Sequence, residues 1–258
     1  ETGAKQNLNE EIKNFDFERL KKEAQNEWNT KLNKIAVTSN NIDHKTNFYT
    51  ALYHTMIAPN LYQDVDGRYR GMDQKIHQTK LFEYYTVFSL WDTYRATHPL
   101  FTLIEVQKTN DFINTLLAKF DEGGILPIWD LSANYTGCMI GYHAVSVIAD
   151  AFMKGIRKYD AQKALNAMQH SAQQGKLGLA DYKSLGYISM ENESESVSKT
   201  LEYAYDDWAL AQMAKELGVS EVYKTYIKRA QNYKNVFDPE TQFMRGRFRN
   251  TWFAPFNP

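Results

Sequence analysis

Apolar residues recur at three- and four-residue spacing in segment after segment of this chain, and that period confines it to a mainly helical architecture. From Asp16, a candidate N-cap, Leu20, Ala24, Trp28, Leu32 and Ile35 form one stripe with Lys, Glu and Asn between them. A second begins near Asp43, carries Phe48, Leu52 and Met56, and must end by Pro59, which cannot continue it. Pro99 opens a third with Leu100, Leu103 and Ile104; Phe112, Ile113, Leu116, Leu117 and Phe120 continue or restart it after Asp111, until Gly123-Gly124 break the pattern. Further stripes run from about Tyr142 to Gly155, from the cap candidate Asp160 through Leu165, Met168 and Ala172, and from Val197 through Leu201, Tyr205 and Trp208 to Gly218. Ser220 is expected to cap a last helix carrying Val222, Tyr226, Ala230 and Tyr233, with Asp238-Pro239 as its stop.

The connections differ in kind. Residues 60–95 alternate aromatic and polar residues around turn signals such as Asp66-Gly67, which reads as short strands and ordered loops. Residues 175–194 form a glycine- and serine-bearing connection. Helical hairpins joined alternately by short turns and long loops, with no solenoid period, fit an α/α toroid whose functional loops gather at one end. A plain helical bundle gives the same pattern.

Charge narrows the partners. Thirty basic and 31 acidic side chains nearly cancel, so no long-range field favours nucleic acid or an anionic membrane. No run of about 18 apolar residues is present, so no membrane span is expected. The start Glu1-Thr2-Gly3 lacks a methionine and reads as a processed or trimmed product, with no signal peptide of its own. Cys138 is the single cysteine, which excludes an internal disulfide and a cysteine-rich zinc site. The six histidines lack ligand spacing to one another, and there is no glycine-rich phosphate loop, G-x-S-x-G elbow or H-E-x-x-H pair. Aromatic residues reach 14%, many beside Asp, Asn, Arg or Gly. Such neighbours suit a sugar, whose C–H faces stack on rings while its hydroxyls take polar partners; the same rings also fill a large helical core.

Three clusters could carry chemistry. In Phe88-Ser89-Leu90-Trp91-Asp92-Thr93-Tyr94-Arg95, Trp91 could pack on a hexose ring, Asp92 could accept from vicinal hydroxyls, and Arg95 could donate to the sugar or hold Asp92. A local Asp–Arg pair capping the next helix is the structural alternative. In the loop 129–143, Gly137 and Gly141 permit close backbone approach; Cys138, Met139 and Ile140 read as packing residues, and Tyr142 and His143 as ligand candidates. Asn134-Tyr135-Thr136 in this loop, and Asn192-Glu193-Ser194, also match the glycosylation sequon. In the third cluster Glu195, Glu202 and Asp206 share one helical face beside Leu201, Tyr205 and Trp208, either as half-buried functional acids or as solvated ones.

Taken together, FYTALYHTMIAPNLYQDVDGRYRGMDQKIH, FSLWDTYRATHPL, LPIWDLSANYTGCMIGYHA and ESVSKTLEYAYDDWALAQMAKELG resemble the catalytic domain of glycoside hydrolase family 92, the calcium-dependent exo-acting α-mannosidases, from about residue 10 onward. The resemblance implies an (α/α)6 toroid, with residues 1–40 as a linker helix and 41–258 as the front part of the barrel. The remaining helices and an N-terminal β-sandwich, supplied by the rest of the parent polypeptide, would complete it. It implies an inverting, calcium-assisted removal of terminal α-linked mannose, α-1,2 above other linkages, from a mannose-containing glycan. A secreted, periplasmic or cell-surface setting goes with that activity. The glutamate acid of the E-G-N-x-W-Q-Y pattern, the aspartate base and the main calcium ligands are expected beyond Pro258, leaving no catalytic residue in this chain and its metal ligands unknown. Trp91-Asp92 matches the motif that holds the terminal mannose, and Arg95, Tyr142, His143 and Asp206 are expected around it. A different toroid glycosidase, such as a glucosidase or trehalase, and a non-catalytic carbohydrate-binding fragment are the competing readings.

Overall fold

A computed structural model describes all residues from Glu1 to Pro258. Its elements run α1 (Thr2–Glu11), α2 (Phe17–Leu32), α3 (Ile42–Thr55), β1 (Asn60–Leu61), β2 (Arg68–Arg70), β3 (Ile76–Gln78), β4 (Tyr85–Thr86), α4 (Leu90–Thr93), α5 (Thr97–Ile104) and α6 (Val106–Gly123). They continue β5 (Asp130–Leu131), β6 (Asn134–Tyr135), α7 (Ala144–Met153), α8 (Ala161–Ala172), α9 (Leu179–Leu185), α10 (Ser196–Glu216) and α11 (Ser220–Arg229). A 3₁₀ turn (Asn232–Val236), β7 (Phe237–Asp238) and β8 (Phe243–Met244) close the chain. The strands pair only into two-stranded antiparallel ribbons, β1 with β4, β2 with β3, β5 with β6 and β7 with β8.

The core lies among the helices after residue 97. α10 is its axis, packed on α7, α8 and α11, while α6 packs on α5, α7 and α8. Ile113, Leu116, Val145, Ile148, Leu165, Met168, Leu210 and Met213 meet there, all without solvent contact. Caps expected from the sequence are made: Asp16 accepts from the Arg19 amide and Asp160 from the Lys163 amide. Gly124 ends α6 in the left-handed conformation.

The N-terminal part is attached differently. Neither α1 nor α2 buries a single residue. α2 is held by Trp28 edge-on to Tyr53 of α3 and by Lys31 and Lys34, whose ammonium groups reach Glu105 at 3.2 and 2.8 Å. Beneath it lies a cavity of about 270 Å³ walled by Trp28, Met56, Tyr85, Phe101 and Phe112.

Four boundaries differ from expectation. The break between α5 and α6 falls at Glu105 rather than near Asp111, because apolar residues run on across the break and periodicity does not mark it. The connection 175–194 contains α9, whose flanking Gly178 and Gly186 are left-handed ends of a helix that buries Leu179 and Tyr182. The region read as strands and loops contains α4, a single turn too short for a period. Ser220 is the first residue of α11 and not its cap: the N-cap is Val219, with no side-chain bond, and the helix ends at Arg229.

Candidate active site

The loop that carries Trp91 and Asp92 is set by an ion pair beneath it. Val87 takes a left-handed φ of 63°, costly for a β-branched residue. Asp130 clamps the residues on either side, accepting from the Thr86 hydroxyl at 2.8 Å and the Phe88 amide at 3.1 Å. The Lys119 ammonium stands 2.9 Å from Asp130, and both side chains are sealed from solvent. Burial pushes the lysine pKa down, and Asp130 works against that shift. Beyond Val87, the Leu90 amide donates to the Ile128 carbonyl at 2.9 Å and Ser89 bridges to Trp129, so the loops 88–95 and 126–136 are tied edge to edge.

From that base α4 presents its side chains in two directions. Asp92 is exposed, and its carboxylate accepts from the Ser89 hydroxyl at 2.5 Å. Trp91 is half-buried; its indole N–H donates to Glu202 Oε1 at 3.2 Å. Arg95 does not pair with Asp92. It donates to the same Glu202 oxygen at 3.0 Å while its guanidinium lies over the rings of Trp91 and Tyr94. The Tyr94 hydroxyl donates to Glu202 Oε2 at 3.2 Å.

Behind Glu202 stands a second, fully buried layer. His143 Nε2 lies 3.1 Å from Glu202 Oε2, and its Nδ1 lies 2.9 Å from Asp206 Oδ1. The Tyr142 amide donates to the other Asp206 oxygen at 2.8 Å. Tyr94 stacks on the imidazole with centroids 4.0 Å apart. Burial raises Asp206 and opposes the charge on His143, but the charge and hydrogen bond of Asp206, joined by those of Glu202, outweigh burial and lift His143 to about 9. Burial also works to raise Glu202, but His143 and Arg95 outweigh it and bring the carboxylate down to about 2. At neutral pH His143 is therefore an imidazolium facing the Glu202 carboxylate. Next to it, Asp207 accepts from the hydroxyls of Tyr142 and Tyr182 at 2.5 and 2.9 Å and from Arg229 Nε at 2.9 Å, which pins α9, α10 and α11 together.

The six residues expected at the sugar thus separate. Trp91, Asp92 and Arg95 reach the surface. Tyr142, His143 and Asp206 are 4%, 0% and 0% exposed, and the structure places them behind the surface that Trp91, Asp92 and Arg95 reach. The reason is that Gly141, at φ 85°, brings the backbone against the His143 ring, where a Cβ would meet Nε2 at 2.4 Å. The loop's packing candidates invert likewise: Cys138 and Met139 are exposed. Glu195, third of the acids sharing a face, sits at the N-cap of α10 with its side chain in solvent near Lys199. No three His, Cys, Asp or Glu side chains gather into a set able to hold a metal ion.

With this geometry in hand, comparison with known proteins is decisive on family. The model of the glycosyl hydrolase family 92 catalytic domain matches residues 3–258. The chain belongs to glycoside hydrolase family 92. A family GH92 α-mannosidase from Bacteroides thetaiotaomicron superposes with a TM-score of 0.96 at 42% identity, over 100% of this chain and 35% of its own. A GH92 inverting mannosidase from the same organism gives 0.94 at 33%, over 99% of this chain and 36% of its own. An uncharacterized secreted glycosidase of Arthroderma benhamiae is 27% identical over 94% of this chain and 29% of its own length. The GH92 chain therefore spans about a third of these relatives, and its helical hairpins are part of the α/α toroid expected from the sequence. No helix in it is long and apolar enough to cross a membrane.

Glu202 is the residue of the site that sequence reasoning only grazed. Its seven- and four-residue spacing to Glu195 and Asp206 placed it on the right face, but nothing local signals that its partners lie more than a hundred positions away, at Trp91, Tyr94 and Arg95.

Proposed function

We propose that the polypeptide to which this chain belongs removes terminal α-linked mannose from glycans, and that Trp91 and Asp92 hold the terminal sugar. The observation that carries this reading is an exposed carboxylate beside a half-buried indole on one rigid turn, in a chain 42% identical to a GH92 α-mannosidase. The same relative has been solved in complex with mannoimidazole. Asp92 accepts from two hydroxyls of the sugar and the indole shapes the wall beside it.

In this reading hydrolysis proceeds with inversion. Water attacks the anomeric carbon while the bond to the glycosidic oxygen breaks; an acid protonates that oxygen and a base takes the proton from the water, from carboxyls roughly 6.5–9.5 Å apart. None of the carboxylates described above is assigned either role, since Asp130, Asp206, Asp207 and Glu202 are committed to internal donors and Asp92 to the sugar hydroxyls. Calcium, as a hard cation for sugar hydroxyls, belongs to the proposal through the family alone, and no step is routed through it. A secreted or periplasmic location is part of the same reading and draws support from the fungal relative described as secreted.

The test is to assay the parent polypeptide on α-1,2-, α-1,3- and α-1,6-mannobiosides, with the anomer of released mannose read by NMR. Release of β-mannose, fastest from the α-1,2 substrate, supports the proposal. Asp92→Ala should lower kcat/KM by about tenfold to a hundredfold, the effect of one or two charge-assisted hydrogen bonds. An enzyme indifferent to Asp92 would mean that the sugar binds elsewhere.

A further inference from the structure

Three donors from one remote segment, and the edge of an imidazole from another, converge on one side chain. Glu202 Oε1 accepts from the Trp91 indole and the Arg95 guanidinium; Oε2 accepts from the Tyr94 hydroxyl and faces the His143 ring. One turn further along α10, Asp206 holds the far side of His143 and the Tyr142 amide. A single turn of α10 therefore fixes the attitude of α4 from behind. Only a carboxylate suits this place. Indole and guanidinium can donate but not accept, so their shared partner must be an acceptor with several lone pairs. Its charge makes each of these bonds roughly twice as strong as a neutral one. With the Trp91 indole N–H and one guanidinium nitrogen of Arg95 held on Glu202, Asp92 remains an exposed carboxylate whose side chain bonds only Ser89.

We propose that Glu202 is the positioning residue of the Trp91–Asp92 sugar site, fixing the indole and the guanidinium so that Asp92 is presented to the hydroxyls of a terminal hexose. The proposal rests on the reading that this site binds terminal mannose. It differs from a mere brace between α4 and α10, which would affect stability and leave recognition untouched.

The experiment uses the parent polypeptide and compares wild type, Trp91→Phe, Glu202→Gln and the double variant. It reads KM and kcat on an aryl α-mannoside, Kd for mannose, and the thermal midpoint. Glu202→Gln should raise KM and Kd by about tenfold with a smaller change in kcat, the signature of lost ground-state positioning. Trp91→Phe keeps a ring but lacks the N–H, and should raise both by several-fold. The double variant should be no worse than Glu202→Gln, because the two changes remove one shared bond. Multiplying effects would overturn the proposal, as would a lowered midpoint with KM and Kd unchanged. Should Glu202→Gln fail to fold, an unaltered KM in Trp91→Phe would overturn it by itself. Wild type that neither cleaves α-mannosides nor binds mannose sinks the functional reading and this proposal with it, an outcome visible in the wild-type arm alone.

Discussion

Replacing Lys119 with Met removes one half of a buried ion pair and leaves the other half in place. Breaking such a pair costs about 3–5 kcal/mol, because the surviving charge stays desolvated. Three features place this case near the lower figure. Asp130 keeps the Thr86 hydroxyl and the Phe88 amide as donors. Methionine fills most of the space of the lysine stem, and burial had already penalised the ammonium. The loss of the cation from over the Tyr84 ring, at 4.5 Å, acts in the opposite sense. We expect a loss of about 3 kcal/mol. Amide hydrogen exchange offers a local reading, because the Phe88 amide donates directly to Asp130 and the Leu90 amide to the adjacent loop. Both should exchange roughly a hundredfold faster. Adding Asp130→Asn removes the stranded charge and should restore much of the loss. A Lys119→Met protein with Phe88 protection unchanged would show that the pair does not set this loop.

Three further outcomes are expected. His143 titrates near 9 in the folded protein against 6.5 unfolded, so the native state holds the extra proton between those values. Stability from this group is complete below pH 6.5 and falls by up to about 3 kcal/mol as pH rises through 9; urea midpoints at intervals from pH 6 to 9.5 test this, and a flat profile would contradict the assignment. Val87→Gly relieves a left-handed β-branched residue, which offsets the greater backbone freedom of glycine, so stability should hold or rise by up to about 1 kcal/mol; a loss above about 2 kcal/mol would show that the φ is not strained. Gly141→Ala drives a methyl into the His143 ring and should cost about 2 kcal/mol or more while NMR shows the His143 pKa moving down; an unmoved pKa would mean that the ring does not depend on that glycine.

What could be read from the chain alone was local. Asp16 and Asp160 cap helices because a carboxylate before an apolar stripe has one obvious use. Gly123-Gly124 ends α6 for an equally local reason. The face shared by Glu202 and Asp206 was legible from their four-residue spacing. Their partners were not, because bringing Trp91 beside Glu202 is a property of the packed helices and leaves no mark in either segment. The depth of residues in the loop 129–143 was hidden for the same reason. Tyr142 and His143 looked like ligands and Cys138 like packing, yet Asp206 draws the first two inward while the glycine-flanked turn swings Cys138 out. Asp207, Tyr182 and Arg229, each unremarkable in sequence, become a knot only when three helices meet.

The way α2 is attached has a mechanical consequence. A helix that buries nothing and is moored by two lysines on Glu105 and one aromatic edge has a soft root. Its tether is largely electrostatic, and partly exposed pairs weaken as salt rises. The packed helices around α10 depend on burial and do not share that sensitivity. In concentrated salt, then, α2 should loosen about residues 33–41 while the packed helices around α10 keep their shape.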